Sequence, residues 1–122
     1  MNSEDNTLEF AAALFRSVWA LDLLLTLKRG RDRSWQAAEI IKELRSSQVV
    51  VHEALSNLSA AGLVIEDDAG GYRYRPGSAA LDEMVSEVEK LYALKPTVVI
   101  RKIVTTPNIK LQLLSDAFRI KE

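Results

Sequence analysis

The side chains able to do chemistry in this chain are few. Histidine occurs once, as His52, and cysteine is absent, which removes thiolate metal sites, disulfides and cysteine nucleophiles. The densest acids, Glu66, Asp67 and Asp68, sit in a glycine-bearing turn without the spaced partners a metal site needs. There is no glycine-rich phosphate loop and no set of ligand-spaced carboxylates. No enzyme, no cofactor and no bound metal are therefore expected. What the chain offers instead is local positive charge. Between residues 28 and 45, Lys28, Arg29, Arg31, Arg33, Lys42 and Arg45 stand against three acids. Further on, Arg73 and Arg75 alternate with Tyr72 and Tyr74, and in a strand that spacing puts both arginines on one face. Such cations can clamp phosphates. They can equally be a solvated helix end and a counterweight to the hairpin acids.

The chain has 122 residues, 48% hydrophobic and 27% charged, a balance that suits one globular domain with a core of its own. Its net charge of −1 does not announce a polyanion partner, so only local patches could serve. The N-terminal MNSEDNTLEF is acidic and lacks the basic start of a signal peptide. The apolar run 18–27 is interrupted by Asp22 and is too short to cross a bilayer. With no cysteine, a cytoplasmic protein that avoids membranes is expected.

These side chains must be held by a mostly helical frame. LEFAAALFRSVWALDLLLTLKRG, residues 8–30, spaces Leu14, Val18, Leu21 and Leu25 as one helix face requires. Trp19 and Leu24 widen it, and Gly30 is its stop. A second helix opens at Ser34 or Gln36 and runs to Leu44 on Ala37, Ile40, Ile41 and Leu44. A third starts at Ser46 as N-cap and carries Val51, Leu55 and Leu58 inward, with Gly62 closing it. The run LVIEDDAGGYRY then reads as a β-hairpin. It leans on the helices through Leu63, Ile65, Tyr72 or Tyr74 and has a free tip at 67–71. Residues 78–96 form an amphipathic helix ended by Pro96. TVVIRKIVTT is ambiguous between strand and helix, with helix preferred. Thr106 and Pro107 open a last helix over 107–119.

Three helices followed at once by a hairpin, with a short turn at Arg45 and Ser46, is helix-turn-helix spacing with a wing. The stretch LSNLSAAGLVIEDDAGGYRYRP resembles the end of the recognition helix and the wing of winged helix-turn-helix transcriptional regulators. The nearest type is the bacterial MarR-like one, where a leucine-bearing helix end runs into a Gly-Leu-Val/Ile step. The resemblance covers about residues 35–76. It implies a mainly α fold with a small hairpin wing: a winged core over about 15–76, and helices in 78–122 that build a dimer. It also implies double-stranded DNA as partner, with the third helix in the major groove.

On that reading Ser46, Ser47, Gln48, Val49 and His52 are the groove-facing residues. Gln48 suits adenine, Val49 a thymine methyl, and the two serines at the helix start a phosphate. Arg31, Arg33, Arg45, Arg73 and Arg75 are the backbone contacts. His52 has a plainer reading as a surface or capping residue. The chain departs from the regulator pattern in one respect: no lysine or arginine lies between Ser46 and Glu66, and Glu53 would repel phosphates. A winged module that binds protein through the VVVHE face or the acidic turn is the alternative. A homodimer through 8–16, 80–94 and part of 98–119 is expected, since a twofold protein reads a twofold site; the plainer alternative is a monomer with these helices folded back on the core.

Overall fold

The computed structural model describes residues 3–105. Two helices, not one, occupy the first segment. α1 (Ser3–Leu14) and α2 (Val18–Arg29) meet at a bend of 102°. The break corrects the single helix expected over 8–30, and Ser17 makes it. Its backbone is extended (φ −155°, ψ 162°), and its side chain accepts the Ala20 N–H at 3.2 Å. That cap satisfies a donor that an unbroken helix would have bonded to its own backbone. Ala11 and Phe15, before the corner, are buried in the same apolar cluster as the leucines of α2. Leu14 and Val18 are four apart on either side of the break, so the apolar spacing alone runs straight through it.

α2 is buried on most sides, through Ala20, Leu21, Leu23, Leu24, Leu25 and Leu27, while Trp19 is 44% exposed. It is the central helix of the fold, as its all-round apolar surface requires. It ends at Gly30, where a Cβ would come within 2.9 Å of the Trp35 indole. α3 (Ala37–Leu44) starts at Gln36, whose N–H donates to Glu39 Oε1 at 2.9 Å. It stops on Arg45, a non-glycine residue in the left-handed region (φ 52°). The Ser46 N–H then reaches back to the Ile41 carbonyl at 3.0 Å, the closure that satisfies a helix's last carbonyls. Ser46 therefore terminates α3 and does not cap the next helix. Ser47 caps α4 (Gln48–Ala60), its Oγ accepting the Val50 N–H at 3.2 Å. α4 closes the same way at Gly62 (φ 79°), with Leu63 N–H bonded to Leu58 O at 3.0 Å.

β1 (Val64–Glu66) and β2 (Tyr72–Tyr74) form the antiparallel hairpin, pairing Val64 with Tyr74, Ile65 with Arg73 and Glu66 with Tyr72. Leu63, Val64 and Tyr74 are buried and Tyr72 packs at the core's edge. Ile65 is 38% exposed, because the register turns it outward with Arg73, and Val64 takes the anchoring role expected of Ile65. β2 has a partner on its other edge as well. Trp35 donates to Tyr72 O at 2.8 Å, and Tyr72 donates back to Trp35 O at 2.7 Å.

α5 (Ala79–Leu94) is capped by Ser78 and buries Val85 and Val88. α6 (Pro96–Thr105) begins at Pro96, whose fixed φ suits a first helical position. It turns Val99 and Ile103 inward, so residues 97–105 of the ambiguous TVVIRKIVTT are helical. α1, α5 and α6 pack on one another, with ion pairs of Lys95 to Glu4 at 2.9 Å and Lys102 to Glu9 at 2.8 Å. The helix expected over 107–119 lies outside the described residues. One continuous apolar cluster joins every helix and the hairpin. No single helix among the described residues is long and apolar enough to cross a membrane.

Candidate nucleic-acid interface

α4 has two chemically distinct sides. Val51, Leu55 and Leu58 are 1%, 2% and 0% exposed. The opposite side presents Val49, Glu53, Ser56 and Ala60 to solvent, with Gln48 and His52 exposed on its flanks and Val50 half-buried. This split follows from turning about 100° per residue. Of the five residues expected to read bases, Ser47, Gln48, Val49 and His52 are exposed, whereas Ser46 is half-buried in the turn. The Ser47 hydroxyl already holds a helix N–H. Val49 is 73% exposed, which is unusual for a valine and leaves it without apolar cover among the described residues.

The expected phosphate contacts fall into two groups. Arg31, Arg33 and Arg73 are engaged within the chain. The Arg31 guanidinium lies 4.9 Å from the Tyr74 ring centre and 3.3 Å from Asp82 Oδ1. The Tyr74 hydroxyl donates to the same carboxylate at 2.6 Å. That hydrogen bond, reinforced by Arg31, holds Asp82 below the usual carboxylate range, while burial and then Asp82 push Tyr74 well above a normal phenol. Arg33 stacks 3.9 Å from the Trp35 ring centre, donates to Ser34 O at 3.2 Å and pairs with Glu39 at 2.5 Å. The Gln36 N–H, followed by Arg33, holds Glu39 low. Arg73 donates to the Asp32 carbonyl at 3.2 Å, and its Nε is buried without a hydrogen-bond partner among the described residues. In the hairpin it faces Ile65, and neither it nor Arg75 forms an ion pair with Glu66, Asp67 or Asp68 among the described residues. The second group, Arg45 and Arg75, is exposed and unpaired among the described residues, as is Lys42 in the last turn of α3. Lys28, by contrast, is mostly buried against Glu89 at 2.7 Å.

The hairpin tip is not free. Asp67 accepts from the Ser34 hydroxyl, from Ala69 N–H at 3.0 Å and from Gly71 N–H at 2.9 Å. Ser34, then Gly71, lower its pKa. Gly71 is buried, and a Cβ there would collide with Ser34 Oγ. The tip is tied down on the α2–α3 loop, and only Asp68 and Ala69 stand clear. Trp35, Ser34 and Asp67 were missed as positioning residues because each acts on a partner more than thirty positions away. A lone strand residue such as Trp35 also leaves no alternating pattern to find.

The segments expected to dimerise mostly bury their apolar residues within the chain: Ala11, Val85, Val88, Val99 and Ile103 all face the core. Leu94 at 80%, Val104 at 69% and Ile100 at 37% exposure remain outside. Among the described residues no cluster of histidine and carboxylates could hold a metal ion. No family model, curated protein or solved structure matches this chain.

Proposed function

We propose that this chain is a DNA-binding transcriptional regulator of winged helix-turn-helix type, MarR-like. In it α3 and α4 are the helix-turn-helix, the hairpin is the wing, and α4 lies in the major groove. The observation that carries the reading is the two-sidedness of α4. One side is locked into the core beside the hairpin, while the other offers Gln48, Val49, His52 and Ser56 with nothing over them among the described residues. Lys42, Arg45 and Arg75 supply the phosphate contacts, and Arg31, Arg33 and Arg73 brace the wing. The protein works as a homodimer in the cytoplasm, with Leu94, Ile100 and Val104 in the twofold contact.

The test is binding of a labelled mixed-sequence duplex by fluorescence anisotropy as salt is varied. Three phosphate contacts predict a slope of log K against log salt of about −3 per chain. Replacing Lys42, Arg45 and Arg75 by glutamine flattens it. Absence of binding even at about 50 mM salt refutes the reading. A second reading has a specific observation behind it. α4 carries no lysine or arginine, and three of the five expected backbone arginines are engaged internally. A winged module that docks a protein on the neutral α4 face accounts for both, and it predicts no duplex affinity at any salt.

A further inference from the structure

We infer that α4 selects DNA bearing A·T pairs, through the methyls of Val49 and the amide of Gln48. This rests on the reading of α4 as the groove-facing helix and goes beyond it by naming the sequence chemistry recognised. Val49 is the second residue of α4, and at 73% exposure it is the barest large apolar side chain on this helix. Glu53, Ser56 and Ala60 continue its line along the helix, and only the half-buried Val50 adjoins it, so the apolar surface on this side is confined to the first turn and is too small for a hydrophobic docking patch. The major groove offers a lone valine one apolar partner, the C5-methyl of thymine.

Gln48 precedes it at the first helical position and is exposed without a hydrogen bond among the described residues. Its amide offers one acceptor and one donor group, which matches the N6 and N7 edge of adenine. Guanine is most often read by arginine or lysine, and neither occurs between Ser46 and Glu66. Lys42 and Arg45 lie just before the start of α4 and are exposed, so they suit phosphates next to the pairs that Gln48 and Val49 would meet. Charge and apolar contact thus point to one occupant, an A·T-bearing duplex.

The experiment is selection by the full chain from a pool of duplexes with a randomised core, followed by binding of the enriched duplex. The expected result is a recurrent A·T position. Replacing its thymine with uracil, which removes only the methyl, weakens binding about fourfold. Val49→Ser binds the thymine and uracil duplexes equally, and Gln48→Ala relaxes the adenine preference by roughly tenfold. Both side chains are exposed, so both variants retain the fold. Enrichment without an A·T position, or an unchanged affinity for the uracil duplex, overturns the inference while leaving DNA binding standing. No enrichment over a protein-free control overturns both and points to a protein partner.

Discussion

Gly71→Ala tests whether the hairpin is tied to the α2–α3 loop. The added methyl would meet Ser34 Oγ directly, with Ser34 Cβ at 3.3 Å and Gln36 Nε2 at 3.2 Å. Ser34 cannot simply turn away, because its hydroxyl is bonded to Asp67, which also holds the Gly71 N–H. One extra methyl in a filled site of this kind costs about 1–3 kcal/mol. At roughly 4 °C per kcal/mol for a chain of this size, the midpoint of thermal unfolding drops by about 4–12 °C. Circular dichroism during heating, with urea unfolding as a check, measures it. The decisive comparison is a double-mutant cycle. In a Ser34→Gly background both crowding atoms of Ser34 are gone, so Gly71→Ala costs less than about 0.5 kcal/mol, a coupling of 1 kcal/mol or more. Equal cost in both backgrounds, or no cost in the parent chain, refutes the reasoning.

Two further outcomes concern protons. Asp67 and Asp82 are both held below the usual carboxylate range. Their contribution is therefore present above the unfolded pKa of about 3.9 and is lost as pH falls through the lower folded value. Unfolding free energies from pH 5 to 2 decline in the parent chain, and less steeply in Asp67→Asn; identical slopes would remove Asp67 from this role. Tyr92 is shifted the other way, raised to about 12 by burial and by its 2.9 Å hydrogen bond to Asp22. Its contribution is whole below an unfolded pKa of about 10 and fades between about 10 and 12. Tyr92→Phe reduces the loss of stability in that alkaline window, and tyrosinate absorbance at high pH reports the residue directly.

The helices were legible where the apolar period was long and the partners were local. Val51, Leu55 and Leu58 point inward as their spacing requires, and Ser78, Gly62 and Pro96 mark boundaries by the chemistry of caps and turns. The helical state of 96–105 overrides the β-branched preference of TVVIRKIV. Val99 and Ile103, four apart, find the core, and tertiary burial outweighs intrinsic propensity. What could not be read were features that break a pattern or span the chain. Ser17 interrupts a period that continues on both sides of it. Ser46 and Ser47 are equally good caps by type, and the left-handed Arg45 decides between them. The arginines were legible as charge but not as geometry. Arg31 finds Asp82 fifty-one residues away, and Arg73 finds Asp32 forty-one away.

That last point changes what a charge substitution means in this chain. The loop RDRSWQ, residues 31–36, ties together α3, the hairpin and the start of α5. Arg31 reaches the base of α5, Arg33 and Gln36 fix the start of α3, Ser34 holds the hairpin tip and Trp35 pairs with β2. Neutralising Arg33 or Arg73 therefore moves the hairpin relative to α4, and weaker binding in such a variant would not show that the arginine touches phosphate. Salt separates the two cases. A contact with phosphate releases counterions and contributes to the salt slope. Loss of a brace lowers affinity at every salt concentration and leaves the slope alone. Arg45→Gln should change the slope by about one, and Arg33→Gln should change the affinity without it.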